Sequence, residues 1–223
     1  RDKALVLYYP LSDQMLEPTT NLITSFDTSF QSYALGTRNL FNDQSGGTQS
    51  IVLDPSGRKC FKFHSGGSSE RCYFTISTQA SKTYTISVEM LSDSYTRSSG
   101  NPKLRIERNG GDYSWSGSSN KGYNSNNLNS WQRLSITFTN TSNTTLYVFF
   151  YQASGKDVYI RNVQLEEKNH ATPYVKTSRT GLTVYDCSGY NRNGTVTAST
   201  CPTVVSGSAR NSYCCQFDGT DDV

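Results

Sequence analysis

The chain has 223 residues and a formal net charge of +3, with basic and acidic side chains mixed along the sequence. It contains no Lys/Arg-rich run and no apolar stretch near the roughly 20 residues of a membrane-spanning helix, so we expect neither a nucleic-acid partner nor a membrane span. Its 15 Tyr and 10 Phe stand among many Ser, Thr, Asn and Gly residues, and only 17% of the chain is charged. This composition is typical of short strands joined by polar turns and excludes a mainly helical protein.

The first twenty residues predict a lead-in to the main domain. Residues 3–9 (KALVLYY) form a predicted strand that Pro10 ends, and a polar connector follows. We assign residues 1–20 to a strand and connector from a preceding domain. The chain begins at Arg1 rather than at methionine, so we expect it to be a piece of a longer polypeptide.

Residues 21–175 carry a succession of alternating apolar and polar positions, the pattern of half-buried β-strands. The alternation breaks by one residue between Ile160 and Val163, which predicts a β-bulge near Asn162. Strands of this length, separated by Gly, Asn and Ser, predict an all-β fold: one antiparallel β-sandwich of the jelly-roll type. The residues expected in its core include Ile86, Val88, Ile136, Phe138, Val148 and Ile160.

Six cysteines are present, and none has the C-x-x-C spacing of a metal site. Cys60 and Cys72 flank a predicted hairpin, and a disulfide across it is one alternative. The other alternative is that most of the cysteines are small buried hydrophobes. The remaining four are Cys187, Cys201, Cys214 and Cys215, and we expect no compact metal site among them because two of them are adjacent.

Two segments interrupt or follow the strands of the first domain. Residues 109–130 form a long polar loop, and a loop of this length in a compact domain is either functional or mobile. After Val175, residues 176–180 read as a linker. Residues 181–223 have a strand pattern of their own and predict a partial second β-sandwich domain.

Three segments of the first domain resemble carbohydrate-binding-module-like jelly rolls, in the form common in phage and prophage tail and fibre proteins. Residues 156–175 (KDVYIRNVQLEEKNHATPYV) are similar to their closing strand, D-V-Y-I-x-N-V-Q-L-E-E, and the A-T-P-Y/F turn after it. Residues 131–139 (WQRLSITFT) and 83–88 (TYTISV) are similar to two further strands of these modules. The resemblance implies a jelly roll over residues 21–175 with a glycan-binding type of surface.

The end of the chain has a second resemblance. Residues 184–196 (VYDCSGYNRNGTV) and 207–222 (GSARNSYCCQFDGTDD) resemble the opening of a concanavalin-like, laminin-G-type lectin domain. The shared features are D-x-S-G-x-x-x-x-G followed by F-D-G-x-D-D. Residues 181–223 are too few for a whole domain of that type, so the resemblance implies an incomplete lectin domain.

Sugar-binding modules commonly stack exposed aromatic rings on pyranose faces and bind the hydroxyls with polar side chains. Tyr147, Phe149 and Tyr151 form an aromatic row on the face of their strand opposite the predicted core. The row is either a glycan-binding groove on an outer sheet face or a contact with a neighbouring domain or subunit. Both alternatives are consistent with the alternation alone.

The long loop supplies three more aromatic candidates for glycan contact. Tyr113, Trp115 and Tyr123 lie among Gly, Ser and Asn residues, where a tryptophan is unusual. Trp131, in contrast, begins a strand and is expected to belong to the core.

A structural Ca²⁺ is the one cofactor that the resemblance to these jelly rolls suggests. Carboxylates and backbone carbonyls are the ligands that Ca²⁺ prefers, and Asp27 and Asp157 are the candidate residues at the joined first and last strands. The sequence contains no compact Asp cluster that would strengthen this assignment.

Catalytic residues are poorly represented. His64 and His170 are the two imidazoles, and neither is near a nucleophile motif. Glu89 and Glu107 could share an outer sheet face as a glycosidase pair, but paired charges on solvated strands are far commoner. Glu166 and Glu167 are neighbours on a strand and point to opposite faces. We therefore expect a non-enzymatic protein.

Two functions from different classes fit these observations. The first is a virion structural or adhesion protein, a phage fibre, tail or capsid-associated subunit that assembles with other virion subunits, forms a homo-oligomer and contacts host cell-surface glycans. The second is an accessory carbohydrate-binding module of a secreted polysaccharide-degrading enzyme. The A-T-P-Y turn and the lectin-like segment favour the first, which would place the protein in the virion rather than in the extracellular medium.

Overall fold

The computed structural model shows an all-β protein, as the composition predicts. It describes residues 18–43, 46–66, 71–96, 100–108, 116–117, 120–179, 181–184, 194–197, 203–206 and 213–216. In these ranges one turn of 3₁₀ helix, Ser125–Asn127, accompanies the strands. The chain divides into two compact units, Asn21–Lys176 and a second unit of Arg1–Thr20 with Thr177–Val223.

The strands of the described ranges are numbered along the chain, and every pairing between them is antiparallel. Their polar Gly- and Asn-containing connections are the turn chemistry that the sequence predicts. The strands are β1 (Thr19–Thr20), β2 (Gly36–Thr37), β3 (Asn42–Asp43), β4 (Thr48–Leu53), β5 (Lys59–His64), β6 (Arg71–Thr78), β7 (Thr83–Leu91), β8 (Lys103–Arg108), β9 (Ser116–Gly117), β10 (Asn120–Gly122), β11 (Gln132–Thr139), β12 (Thr144–Tyr151), β13 (Asp157–Glu166), β14 (Ser178–Arg179), β15 (Gly181–Val184), β16 (Gly194–Thr197), β17 (Thr203–Ser206) and β18 (Tyr213–Gln216).

The first unit is a sandwich of two sheets. The larger sheet has the strand order β2-β4-β5-β13-β7-β11-β9, and the smaller sheet has the order β10-β8-β12-β6-β3. Apolar side chains from both sheets meet in one core cluster between them. The antiparallel β-sandwich predicted from the alternation is therefore confirmed.

The phase of the alternation decides which side chains enter this core. All six residues that the sequence assigns to it are at most 1% exposed. Because side chains alternate between the two faces of a strand, a shift of one residue in any of these strands would turn its apolar set toward water. Full burial of each such side chain is worth about 1.5–3 kcal/mol. The six residues are Ile86, Val88, Ile136, Phe138, Val148 and Ile160.

A cluster of phenylalanines joins the two sheets. Phe61 of β5 is fully buried in the larger sheet, and its ring centroid lies 4.7 Å from that of Phe41 and 5.7 Å from that of Phe30. Phe41 in turn contacts Phe74 (5.5 Å) and Phe150 (5.7 Å) of the smaller sheet. The edge-to-face and tilted geometries are those that aromatic quadrupoles favour.

The predicted bulge lies in β13. The register of this strand against β7 shifts between Arg161 and Gln164, and Asn162 has φ = 53°. Asparagine tolerates this left-handed conformation better than most residues, and the Asn162 amide donates to Glu89 at 3.0 Å. The bulge near Asn162 is confirmed.

The predicted hairpin around Cys60 and Cys72 is wrong. β5 pairs with β4 and β13 in the larger sheet, whereas β6 pairs with β12 and β3 in the smaller sheet. A Gly/Ser-rich loop between two alternating runs fits a crossing between sheets as well as a hairpin. Cys60 and Cys72 are both buried free thiols, and burial raises the pKa of Cys60 to about 12 and that of Cys72 well above its usual range.

The segment after β13 covers part of the outer face of the larger sheet. Thr172 donates to the fully buried carboxylate of Glu166 through both its backbone N–H and its hydroxyl. The Arg133 guanidinium donates to the Thr172 carbonyl at 2.7 Å, and Val175 N–H donates to Gln164 at 2.7 Å. The A-T-P-Y turn thus supplies the hydrogen bonds that a buried carboxylate requires.

The second unit contributes three antiparallel pairs among its described residues: β1 with β14, β15 with β16, and β17 with β18. Much of the lectin-like segment lies outside the described residues, so its assignment stays a prediction. No helix within the described ranges is long and apolar enough to cross a membrane.

Candidate binding face

The predicted aromatic row lies on the outer face of the smaller sheet. Along β12, the side chains of Tyr147, Phe149 and Tyr151 alternate with the core residues Leu146, Val148 and Phe150. Six cross-strand neighbours of the row also point outward. Tyr147 lies opposite Thr75 and Glu107, Phe149 opposite Tyr73 and Arg105, and Tyr151 opposite Arg71 and Lys103. We call the side chains of these nine residues the aromatic face.

Phe149 is the buried base of the aromatic face. Its side chain is only 4% exposed although it points away from the core. Its ring centroid lies 5.1 Å from that of Tyr73, 6.1 Å from that of Tyr147 and 5.8 Å from that of Tyr151, and the Arg71 guanidinium lies 4.8 Å above it. A ring enclosed in this way cannot stack on a ligand, but it fixes the positions of the rings around it.

Tyr151 is held in a network of charged groups. The Arg71 guanidinium donates to the Tyr151 hydroxyl at 2.5 Å, and that hydroxyl lies 3.4 Å from a Glu107 oxygen, to which it donates. The Lys103 ammonium and the Arg105 guanidinium lie 5.0 and 5.9 Å from the Tyr151 ring centroid. Cations at these distances from a ring are attracted by its quadrupole. The Tyr151 ring is therefore a partner of these cations.

Tyr73 and Tyr147 are the accessible rings of the aromatic face. Both are partly exposed, and their centroids are 5.2 Å apart across neighbouring strands. Neither phenol has a hydrogen-bond partner among the described residues. The result is a platform of two rings, inclined at 57° to each other, that contacts the buried Phe149 ring. Arg71, Arg105 and Glu107 lie on the neighbouring strand positions.

Tyr73 was not among the residues predicted for the site. The alternation of β6 places Cys72 and Phe74 in the core and so turns Tyr73 outward. That signal is present in the sequence, but the pairing of β6 with β12 is not. Only the pairing shows that Tyr73 and Tyr147 lie side by side.

Of the three aromatic candidates in the long loop, the structure describes Tyr123 alone. Tyr113 and Trp115 lie outside the described residues. Tyr123 is only 3% exposed, and its hydroxyl donates to the carbonyl oxygens of Ser130 (2.6 Å) and Asn127 (2.9 Å). The Tyr123 ring is packed in the core, where its hydroxyl closes the turn that follows, so it offers no ring face to a ligand.

The sequence predicts Trp131 in the core, but the structure places it elsewhere. It immediately precedes β11 with the parity of Arg133, opposite to that of the inward Leu134 and Ile136, so it points to the outer face of the larger sheet. There it is half-buried, and the Arg161 guanidinium lies 4.0 Å from its ring centroid.

The two calcium candidates are not brought together. Asp157 begins β13, whereas Asp27 precedes Thr28, whose carbonyl accepts from Val163 six residues further along that strand. The two carboxylates have separate sets of donors. Among the described residues there is no group of three or more side chains that could hold a metal ion, and a Ca²⁺ site at these aspartates stays an untested prediction.

Each of these aspartates is already hydrogen-bonded. Burial opposes ionisation of Asp27, but hydrogen bonds from Ser32 and Ser29 outweigh burial and hold its pKa well below the usual range. Burial likewise opposes ionisation of Asp157, and the Lys62 ammonium and His64 imidazole, both 2.7 Å away, lower the pKa of this carboxyl. A cation at either position would have to displace these donors.

The acidic and imidazole side chains considered above as catalytic candidates do not come together among the described residues. Glu89 lies on the outer face of the larger sheet and Glu107 on that of the smaller sheet, so the sandwich separates them. Glu166 is fully buried and Glu167 is exposed, as their opposite directions on the strand predict. His64 bonds to Asp157, as described above.

Comparisons with known proteins find distantly similar solved structures but no family. No protein-family model and no curated protein sequence matches the chain. Among solved structures, the chain is similar to a family 16 carbohydrate-binding module (16% identity, TM-score 0.40, covering 63% of this chain and 96% of that one). It is also similar to a putative sugar-binding protein from Bacteroides thetaiotaomicron (12% identity, TM-score 0.40, 70% and 100%). A third similar structure is the tripod of the bacteriophage Tuc2009 baseplate (14% identity, TM-score 0.33, 89% and 76%).

Proposed function

We propose that residues 21–176 form a non-catalytic glycan-binding module that binds saccharides on the aromatic face. The observation that carries this proposal is the Tyr73–Tyr147 platform. A pyranose ring has an apolar face of C–H groups and a rim of hydroxyls, so it is bound by an aromatic surface with polar groups around it. The aromatic face has both parts: two accessible rings, and charged side chains at their edge.

The platform is arranged before a ligand arrives. Tyr73 and Tyr147 are fixed by their strands and by the buried Phe149 ring, and Arg71 is held by contacts with two aromatic rings. A surface that is already ordered loses little conformational entropy on binding, so more of the contact energy remains as affinity.

The expected affinity of one module is weak. Aromatic contacts contribute roughly 0.5–1.5 kcal/mol per pair beyond the area that they bury. Two rings and a few hydrogen bonds correspond to dissociation constants on the order of millimolar to micromolar. Many copies of the module on one particle would raise the overall avidity by several orders of magnitude without any new contact.

The biological setting that we propose is a phage particle in which the module serves as a structural and adhesion element. This rests on the similarity of residues 156–175 to the closing strand and turn of phage tail and fibre modules. The alternative setting is an accessory module of a secreted polysaccharide-degrading enzyme. A glycosidase domain elsewhere in the full-length protein would favour that alternative, and virion proteins encoded beside the gene would favour the first.

The proposal is tested with the purified chain on a glycan array. We expect the wild type to bind a subset of glycans, and Tyr147→Ala to weaken binding to them about tenfold or more, which corresponds to about 1.4 kcal/mol. Tyr147→Phe keeps the ring and should retain most of the binding. Equal binding by the wild type and Tyr147→Ala would contradict the assignment of this face. So would a change in sedimentation of Tyr147→Ala without loss of glycan binding, because it would make the face a subunit contact.

A further inference from the structure

A concave surface lies on the side of the sandwich opposite to the aromatic face. It is a groove of about 400 Å³ at the end of the larger sheet where β4 and β7 finish and β13 begins. This volume is in the range of sites for small ligands. The residues that matter for its chemistry are Leu53, Leu91, Asp93, Asn129, Trp131 and Tyr159.

The walls of the groove are aromatic and aliphatic. Tyr159 of β13 lies directly opposite Leu91 of β7, and Trp131 is the residue before β11. Arg161 lies against the Trp131 ring at 4.0 Å but does not line the groove, so the ring has Arg161 on one side and the groove on another. Leu53 is 52% exposed at the rim, where strand β4 ends.

Four polar side-chain groups that line these walls have no hydrogen-bond partner among the described residues. These groups are the Asp93 carboxylate, the side-chain amide of Asn129, the Trp131 indole N–H and the Tyr159 hydroxyl. Asp93 and Asn129 are exposed at the rim. Asn129 has φ = 58°, and its backbone N–H donates to the Ser92 carbonyl at 2.9 Å, which fixes the turn beside Asp93. The groove therefore combines two rings with donors and acceptors of both kinds.

We propose that this groove is a second saccharide site, one that takes a neutral pyranose. The Trp131 and Tyr159 rings would contact the C–H face of the sugar, and Asp93 and Asn129 would bind its hydroxyls, which are donors and acceptors at once. An anionic sugar is disfavoured by the Asp93 carboxylate, which lines the groove and has no ion-pair partner among the described residues.

A cationic ligand gains little from the two rings, because a cation of the chain already lies against each of them. The Arg161 guanidinium already contacts the Trp131 ring, and the Lys62 ammonium lies 5.8 Å from the Tyr159 ring centroid. A second cation on either ring would compete with this cation for the same ring quadrupole. A neutral ligand has no such penalty.

The chain offers a direct spectroscopic test, because it contains two tryptophans. In the Trp115→Phe variant, Trp131 is the only tryptophan and reports on the groove. The probes are methyl β-D-glucopyranoside, methyl β-D-galactopyranoside, methyl α-D-mannopyranoside and N-acetylglucosamine, each titrated into the millimolar range. We expect a saturable change in Trp131 emission with at least one of them. No saturable change with any of the four would overturn the proposal.

Variants then locate the response. Asp93→Ala, at an exposed position, and Tyr159→Ala should each raise the dissociation constant about tenfold, a loss of about 1.4 kcal/mol. The Tyr73→Ala/Tyr147→Ala double variant should leave it unchanged, which separates this site from the aromatic face. An unchanged dissociation constant in Asp93→Ala and Tyr159→Ala would refute the site. So would a saturable response to tetramethylammonium chloride in place of the pyranosides, since it would make the groove a cation site.

Discussion

The Phe61→Ala variant is expected to lose about 3–5 kcal/mol of its free energy of unfolding. Phe61 is fully buried and is the member of the larger sheet through which the phenylalanine cluster reaches Phe41 and, through it, the smaller sheet. Truncation removes the transfer free energy of the ring and leaves a cavity between two sheets that cannot collapse onto each other. A loss of this size is a large fraction of the stability of an ordinary domain.

Urea unfolding followed by circular dichroism measures this loss. Leu35→Ala is the matched control, because Leu35 is 54% exposed and its removal should change the free energy of unfolding by no more than about 0.5 kcal/mol. If Phe61→Ala were as stable as Leu35→Ala, the phenylalanine cluster would not be the element that holds the two sheets together.

Arg161→Ala is the second substitution expected to have a large effect. The Arg161 guanidinium is 12% exposed and binds two carboxylates, Asp54 at 2.5 Å and Glu89 at 2.7 Å. The Asp54 side chain is 1% exposed, so removal of its cation leaves a buried charge with less compensation. Breaking a buried ion pair by removing one partner costs about 3–5 kcal/mol.

The control for Arg161→Ala is a substitution in a solvent-exposed ion pair of the same chain. Lys82 and Glu167 are both nearly half exposed, so Lys82→Ala should leave the melting temperature almost unchanged. Comparable melting temperatures for Arg161→Ala and Lys82→Ala would show that Asp54 and Glu89 do not depend on Arg161. The account of the outer face of the larger sheet would then be wrong.

The core of the fold could be predicted because it follows from local pattern. The period-two alternation that places Ile86 and Ile136 inward requires no knowledge of the partner strand, and the break before Val163 likewise indicates the bulge directly. The same rule turns Trp131 outward with Arg133. Residue type alone predicts that Trp131 lies in the core, whereas its parity predicts the outer face that the structure shows.

The candidate site could be predicted only in part, because it depends on which strands are neighbours. The row on β12 is visible in the sequence, but the position of Tyr73 beside Tyr147 depends on the pairing of β6 with β12, which joins residues more than sixty positions apart. The hairpin expected around Cys60 failed for the same reason, since local turn chemistry does not distinguish a hairpin from a crossing between sheets.

The sequence also could not predict which side chains of the site are buried. Phe149 and Tyr151 have the same parity and similar rings, yet Phe149 is only 4% exposed whereas Tyr151 is partly exposed. The residues around Tyr123 predict a polar loop, whereas the structure shows its ring packed in the core. In each case the deciding contacts come from distant residues, so composition around the residue could not reveal them.

The central claim is that the Tyr73–Tyr147 platform binds glycans, and chemical-shift mapping of the aromatic side chains by NMR tests it most directly. The chain would be titrated with an oligosaccharide that it binds on the array. We expect the largest shifts at the ring resonances of Tyr73 and Tyr147, smaller ones at Thr75, and none at the buried ring of Phe61. Shifts that leave both tyrosine rings unmoved while the oligosaccharide binds would contradict the claim.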